Sequence, residues 1–286
     1  VFTYWLRESY PSLEGERKAR ERDIPEGEDV PFPGWDDLEA EMRENGPVVE
    51  VVVKDENGSV VNRVEGPTSP GVHRINWDLR YPSKDVVDLG ESGSGGFFGS
   101  ELPATPGTYT ATLTKVEHGE VTALSDPITF EVTPLREGVL EGASYDAIAS
   151  FREQVISLQQ EISTASNTLQ QQLDRITAMQ TALDRASQDA PDLVTRLHET
   201  RMRLLELNEA MNGSEAKAEI GERSPPTPRS RYFVGLRALG TTYGPTDMHR
   251  ETVQIGQREL DDIQSELTEI ADTVMPELES ALNAAG

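Results

Sequence analysis

The chain has 286 residues, which is enough for two domains of ordinary size. Its 51 acidic and 26 basic residues give a net charge of -25, and this excess of negative charge argues against binding to a nucleic-acid backbone. The chain has no cysteine, which excludes disulfides and thiolate chemistry, and no apolar run reaches the roughly 18–20 residues that a membrane-spanning helix needs.

The composition of the charged residues carries a second signal. Five of the basic residues are lysines, namely Lys18, Lys54, Lys84, Lys115 and Lys217. An acidic excess together with scarce lysine favours adaptation to high salt, and solubility alone is the alternative explanation. The chain begins at Val1 without a basic and then apolar leader, which predicts a mature or excised fragment.

The N-terminal part combines one strand with a charged insertion. Residues 1–7 contain the run Phe-Thr-Tyr-Trp-Leu and predict a short strand. Residues 8–46 are an insertion, predicted as a loop with some helix. Trp35 begins a short helix whose first turn is acidic, and Asn45-Gly46-Pro47 ends it.

Residues 47–134 predict an Ig-like antiparallel β-sandwich. Val49, Val51 and Val53 alternate along one strand, and Asn57-Gly58 is the strongest short signal for a hairpin. The remaining alternating strands are His73 to Trp77, Tyr109 to Leu113 and Ile128 to Val132. A glycine-rich stretch over 88–105 lacks a Gly-Lys-Ser/Thr ending, so we interpret it as a flexible loop and not as a phosphate site.

The C-terminal half predicts an elongated three-helix, coiled-coil-like bundle. Apolar residues at 3-4 spacing indicate helices at about 144–186, 191–211 and 246–283. Between the last two helices, residues 214–245 contain several prolines and predict an irregular crossing that packs along the helices. Pro276 is expected to kink or shift the last helix. The predicted domains are therefore 1–137 and 140–286, in an α+β multidomain chain.

No catalytic, cofactor or metal site is predicted. The four histidines are His73, His118, His198 and His249, and no two of them have the spacing of metal ligands. Asp55, Asn57 and Asp78 lack the dense spacing of a calcium loop, and no GxSxG nucleophile motif is present.

The most distinctive cluster is a possible docking surface. It consists of Trp77, Asp78, Arg80 and Tyr81, together with Phe97 and Phe98 of the glycine-rich loop. For residues 77–81 the favoured explanation is a tryptophan core anchor with a polar strand end, and a surface that docks a neighbouring domain is the alternative. An exposed Trp35 or Phe97-Phe98 would favour a binding role, and buried ones would favour a scaffold.

Several segments carry a resemblance to a known family. They are Val51 to Asp78 with Asp55-Glu56-Asn57-Gly58, the run from Pro70 through Asn76-Trp77-Asp78-Leu79-Arg80-Tyr81-Pro82, and Pro106-Gly107-Thr108-Tyr109-Thr110. They resemble the C-terminal region of bacterial sortilin-like, BNR-repeat β-propeller proteins, which are often labelled glycosyl hydrolases. Phe2 to Leu6 looks like the strand that follows the propeller, and Pro225 to Gly244 with the flanking helices resembles the tail of that family. The sandwich is similar to the Ig-like module of flagellar hook-capping proteins.

The resemblance implies an accessory role without catalysis. The chain is then the C-terminal part of a secreted or periplasmic propeller protein, whose propeller would be its partner, with a second protein partner on the helices. Two alternatives remain: a part that completes the cleft of a glycoside hydrolase, and a carbohydrate-binding sandwich. The propeller that would hold hydrolase residues is not in this chain, so no catalytic residue is carried over.

Overall fold

The computed structural model describes residues 1–82, 102–135, 141–241 and 243–286. Their contacts divide them into two compact units, one formed by 1–82 with 102–135 and the other by the described residues from 141 onward. The first unit contains antiparallel sheets and the second is helical, so the mixed α and β composition that the sequence predicts is confirmed. Phe97, Phe98 and the part of the glycine-rich stretch 88–105 up to residue 101 lie outside the described residues.

The first unit holds the strands. They are β1 (Phe2–Leu6), β2 (Val48–Lys54), β3 (Val60–Gly66), β4 (Gly71–Ile75), β5 (Gly107–Glu117), β6 (Glu120–Ala123) and β7 (Ile128–Val132). Within the described residues, β1 and β4 form a two-stranded sheet, and the other strands form a five-stranded sheet ordered β3-β2-β5-β6, with β7 also paired to β5. All pairs are antiparallel. The Asn57-Gly58 hairpin is confirmed between β2 and β3, with Gly58 at a positive φ of 80°.

The inward side chains of both sheets pack into one hydrophobic core. Its buried members are Tyr4, Leu6, Val49, Val51, Val53, Val61, Ile75, Trp77, Tyr109 and Ala111. The predicted alternation is confirmed for Ile75 with Trp77 and for Tyr109 with Ala111, which share the buried face of their segments. In β2, Glu50 and Val52 are buried as well as the three alternating valines, so both faces of that strand are covered.

Two short helices occupy the charged insertion. They are α1 (Leu13–Arg22) and α2 (Trp35–Arg43), the second of which matches the helix predicted from Trp35. Arg17 of α1 makes a two-pronged pair with Glu41 of α2, with Nε at 2.7 Å and Nη2 at 2.9 Å from the carboxylate oxygens. This pair raises the pKa of Arg17 and lowers that of Glu41, in each case mainly through the side-chain hydrogen bond.

The helical unit contains α3 (Tyr145–Leu183), α4 (Pro191–Asn212), α5 (Glu215–Glu219), α6 (Pro228–Leu239), α7 (Asp247–Glu269) and α8 (Met275–Ala285). The three long helical segments agree with the predicted ones, and α3 alone is about 58 Å long at 1.5 Å per residue. A π-helical turn, Ile270–Val274, lies between α7 and α8. This irregular turn lies just before Pro276, where the sequence predicted a kink or shift of the helix. Proline has no backbone N–H, so it cannot complete the regular helical hydrogen bonds.

The prediction of an irregular crossing over 214–245 is wrong at α6. Thr227 and Ser230 form a capping box, in which each side chain accepts a backbone N–H of the other, and Pro228 follows as the first helical residue. Tyr232 and Ala238 are buried in the helical core. The helical unit therefore has a fourth packed helix in addition to the three that were expected.

The helical core is continuous along α3, α4, α6, α7 and α8. The predicted seam of α3 is confirmed, with Phe151, Val155, Leu158 and Ile176 almost fully buried. Gln172, which interrupts the predicted seam, accepts a hydrogen bond of 2.8 Å from Arg175, which also pairs with Glu279 of α8. The buried amide is thereby satisfied within a link between two helices. In the described residues no helix is both long and apolar enough to cross a membrane.

Candidate functional site

An apolar cleft of about 650 Å³ lies in the first unit, beside β1 and β7. Such a volume lies within the range of about 300–1,000 Å³ that is usual for ligand-binding pockets. Consecutive residues 1–5 line one wall, and β4, the neighbour of β1, contributes no lining residue. The cleft therefore lies on the side of β1 that faces away from β4.

The floor of the cleft is an apolar sheet face that is incompletely covered. Ile128 pairs with the buried Ala111, and Phe130 pairs with the buried Tyr109, so both side chains point toward the core side of their sheet. Ile128 nevertheless stays 65% exposed and Phe130 is only half-buried. Leu113 and Leu124 of the same floor are also half-buried. The two-stranded sheet thus stops short of covering the five-stranded one.

Two unpaired strand edges border this floor. Among the described residues, β1 pairs with β4 alone and β7 pairs with β5 alone, so each strand keeps one edge of backbone N–H and C=O groups open. The edges approach each other at Phe2 and Phe130, whose rings meet edge-on at 5.6 Å. An open edge is a template for pairing with another strand, and neither β1 nor β7 contains the lysine, proline or bulge that commonly blocks such pairing.

The electrostatics of the cleft are simple. Glu131 is the single charged side chain among the described lining residues, and it is exposed. Tyr4 is buried, and this burial raises the pKa of its hydroxyl, which donates a 2.7 Å hydrogen bond to the Pro67 carbonyl. The cleft therefore has a neutral apolar floor with one negative charge at its rim.

The predicted docking cluster forms a tight turn at one side of this cleft. Trp77 is buried, and its indole N–H donates to the carbonyl of Arg80 at 2.8 Å, which also accepts from the Asn62 amide at 3.0 Å. The Asp78 carboxylate accepts the backbone N–H of Arg80 at 3.0 Å, and Leu79 has a positive φ of 61°. Trp77 and Leu79 line the cleft, whereas Asp78 and Arg80 are exposed.

Tyr81 continues this turn into a short antiparallel bridge. Its backbone N–H donates to Leu102 at 2.8 Å, and Ala104 donates to Leu79 at 2.7 Å. The Tyr81 side chain is half-buried against the core of the first unit. The structure thus brings Trp77, Asp78, Arg80 and Tyr81 together, and Trp77 is a core anchor, as the favoured interpretation expected. Docking by this turn stays a prediction.

A second apolar surface lies in the insertion. The rings of Phe32 and Trp35 meet edge-on at 5.2 Å, and Trp35 is 74% exposed. Val30, two residues before Phe32, is exposed as well. Exposure of Trp35 was the criterion that favours a binding role, and the structure meets it.

The histidines are placed singly. The His73 ring lies 2.7 Å from the Ser69 carbonyl and next to the ring of Tyr4, whereas His118 sits in a turn with a φ of 52°. His198 is exposed, and His249 caps the start of α7 by accepting the Thr246 backbone N–H. Across the described residues there is no group of three histidine or acidic side chains that could hold a metal ion.

The calcium candidates are also accounted for by local structure. Asp55 accepts the backbone N–H groups of Asn57 and Ser59, each at 2.9 Å, within the hairpin turn. Asp78 lies outside this turn and accepts a backbone N–H within its own turn.

Neither family models, nor curated proteins, nor solved structures yielded a match to this chain.

Sequence reasoning missed the cleft because its floor residues were placed only as strand residues. The alternation of Ile128 and Phe130 correctly indicated an inward face. Alternation does not tell whether the opposite sheet extends far enough to cover that face. The exposed fraction of Ile128, which depends on the width of the two-stranded sheet, is the signal that reveals the cleft.

Proposed function

We propose that this chain is a non-catalytic interaction module, the C-terminal accessory part of a secreted β-propeller protein, with an Ig-like sandwich as its docking domain. The resemblance of the segments around Trp77 to sortilin-like, BNR-repeat proteins supports the assignment to a β-propeller parent. The observation that carries the interaction role is the apolar cleft beside β1 and β7, because an inward-facing isoleucine that stays 65% exposed marks a surface that lacks its cover.

The chemistry of the cleft supports binding and not hydrolysis. Glycoside hydrolysis needs two carboxyl groups about 5–10 Å apart, and acyl transfer needs a nucleophile beside a base. The described lining contributes one carboxylate, that of Glu131, and an apolar floor around it. These residues are suited to burying an apolar partner.

Deuterium uptake tests the docking role. The amides of 128–132 are compared in the chain alone and in the complete gene product that contains it. The proposal expects slower exchange in the complete product, since a covered edge strand is protected from solvent. The amides of β6, at the other end of the same sheet edge, serve as the internal control. Equal exchange at 128–132 in both proteins would refute docking of the parent at the cleft.

A substrate screen tests the absence of catalysis. The purified chain is incubated in high salt with aryl-glycoside, ester and peptide substrates. Turnover that disappears on replacement of a single Asp or Glu would refute the accessory role. It would favour the hydrolase alternative instead.

Carbohydrate binding is the second candidate function, and the exposed Phe32 and Trp35 rings favour it. Exposed aromatic rings offer large, rigid apolar contact area to a flat ligand face. Affinity electrophoresis in soluble polysaccharides tests this candidate with Trp35→Ala. The matched control is Tyr145→Ala, since Tyr145 is also an exposed aromatic residue, at 48%, but begins α3 in the helical unit and does not line the cleft. Retardation lost in the first variant and kept in the second would support a sugar site at Trp35, and retardation unchanged in both would exclude it.

A further inference from the structure

We infer that the cleft binds an extended peptide strand, which pairs with the open edge of β1 and places alternate apolar side chains on the cleft floor. This inference rests on the proposed interaction role and adds the partner's chemistry. The partner is a segment of about five to seven residues with apolar side chains at every second position and a basic residue near one end. Pairing of this kind is a recurrent mode of peptide recognition.

The backbone of β1 sets the conformation of the partner. Five consecutive residues, Val1 to Trp5, line the cleft, and side chains of a strand alternate between its faces. A wall formed by consecutive residues therefore presents the backbone edge itself. Its N–H and C=O groups have no strand partner in the described part of the chain, and an extended peptide supplies both complements along its length.

The floor sets the side-chain pattern of the partner. A strand added next to β1 lies about 4.8 Å from it, over the half-buried or exposed residues Leu113, Leu124, Ile128 and Phe130. Every second side chain of that strand points to this floor, and the others point to solvent. Apolar residues at alternate positions thus bury the remaining exposed surface of Ile128 and extend the two-stranded sheet over the five-stranded one.

The rim sets the charge of the partner. Glu131 supplies the one charged side chain of the described lining, on the face of β7 opposite to Phe130, and the chain as a whole carries -25. A cationic peptide is attracted to such a surface, whereas an acidic peptide is repelled. A partner strand with a basic residue near its end is therefore favoured over an acidic one.

Fluorescence anisotropy with defined peptides tests the inference on the intact chain. The probe is a labelled Lys-Val-Thr-Val-Thr-Val-Lys amide, measured in 0.1 M KCl. Its controls are a peptide of the same composition without alternation, Lys-Val-Val-Thr-Thr-Val-Lys, and a peptide with glutamate in place of both lysines. The alternating cationic peptide is expected to bind at least tenfold more tightly than either control.

Backbone methylation separates strand pairing from simple apolar binding. In a β-strand, residues at alternate positions direct their N–H groups to the same edge. N-methylation of one alternate set of the peptide is therefore expected to abolish binding, while methylation of the other set leaves it within about twofold. Unchanged binding of both methylated peptides would refute pairing of the peptide backbone with β1. It would show that the cleft binds apolar groups without strand addition.

Two pairs of variants locate the binding site. Ile128→Lys places a charge on the floor and is expected to lower affinity at least tenfold. Val121→Lys is its control, because Val121 is 62% exposed in β6 and does not line the cleft. Glu131→Lys is expected to weaken the lysine-flanked peptide about two- to fivefold, as exposed ion pairs do, and Glu120→Lys on β6 is expected to leave it unchanged.

The outcomes are distinct. No binding by a chain whose circular dichroism is intact overturns the inference, and so does dimerisation through β1, which light scattering across protein concentration detects. Equal effects of Ile128→Lys and Val121→Lys also overturn it. None of these results bears on the substrate screen or on exchange in the complete gene product. Failure of the proposed function is therefore recognised separately, by turnover or by equal exchange at 128–132.

Discussion

Gly235→Ala is expected to destabilise the helical unit, although alanine is the better helix former. Gly235 lies within α6, where the helix packs against α3 and α7. An added Cβ would lie 2.6 Å from Cγ2 of Val253 and 3.0 Å from Cγ2 of Val155. Since carbon atoms make their best contacts at about 3.5–4.0 Å, α6 would have to move away from α7 by nearly 1 Å.

Two opposing terms give the expected size of the effect. Replacing glycine by alanine within a helix gains about 1 kcal/mol. Overpacking of a tight core costs about 1–3 kcal/mol. The net destabilisation is therefore about 1 kcal/mol, because the close approach of α6 to α3 and α7 leaves little room for a side chain at Gly235.

Urea unfolding followed by circular dichroism at 222 nm measures this effect, since the helical unit dominates that signal. Gly256→Ala in α7 is the matched control, because its added Cβ would meet Cβ of Arg231 at 3.1 Å, a contact that needs a shift of only a few tenths of an ångström. The control is expected to be neutral or stabilised by up to about 1 kcal/mol. Stabilisation of Gly235→Ala by the same amount would refute the packing argument.

A double variant isolates the clash. Val253→Ala removes the methyl group that the new Cβ meets, so it is expected to cost less in the Gly235→Ala background than in the native chain. Residues in direct contact show coupling of about 0.5–3 kcal/mol, and a coupling near 1 kcal/mol is expected here. Additive effects of the two substitutions would show that the added Cβ at position 235 does not contact Val253.

Four further outcomes are expected. Leu169→Ala should lower the free energy of unfolding of the helical unit by about 2–5 kcal/mol, because Leu169 is only 2% exposed. Urea unfolding measures this loss, and an unchanged urea midpoint would show that the apolar seam of α3 is not packed. Trp77→Phe should lower the free energy of unfolding of the first unit by about 1 kcal/mol or more, because the Arg80 carbonyl loses the indole N–H that donates to it. Unfolding followed by near-ultraviolet circular dichroism measures this change, and an unchanged stability would show that the hydrogen bond from the Asn62 amide is enough for that carbonyl. Acidification should release α1 from α2, because the ion pair of Glu41 with Arg17 lowers the pKa of Glu41 in the folded chain. The stabilisation by this ion pair is present above the ordinary pKa of a glutamate and is lost as the pH falls through the lower folded value. Faster amide exchange in α1 as the pH falls, after correction for the intrinsic rate and absent in Glu41→Gln, is the measurement, and equal behaviour of the two proteins would contradict it. Raising KCl from 0.1 to 1 M should raise the thermal midpoint well beyond that of a neutral control protein, because the screening length falls from about 10 to about 3 Å, and a flat response would contradict adaptation to salt.

The long helices and the strands follow from periodicity that is local in the sequence. Apolar residues at 3-4 spacing predicted α3 to within three residues of its end, and period-two alternation predicted β2 and β5, because such patterns arise when an element turns a regular set of side chains to the core. The amide of Gln172 broke the seam in the sequence yet is buried and bonded in the structure, since a partner from the same turn satisfies it.

The helix α6 shows how local signals compete. Pro225, Pro226 and Pro228 together favoured an irregular segment, but Pro228 occupies the first helical position, where its missing N–H has no cost. The Thr227 and Ser230 capping box was present in the sequence as a signal for this start. The depth to which α6 packs, with Gly235 against Val253, depends on contacts with residues far away in the chain.

The sequence by itself determined the long helices and most strands, and which side chains of each face the core, because those properties depend on neighbours within a few positions. Only the tertiary structure decided how far one sheet covers the other. Ile128 reads as a core residue from its alternation, yet it is exposed because β1 is the last strand of its sheet in the described residues. Coverage depends on the count of strands that meet across the core, and this count is set by pairing between distant segments, which no local pattern encodes.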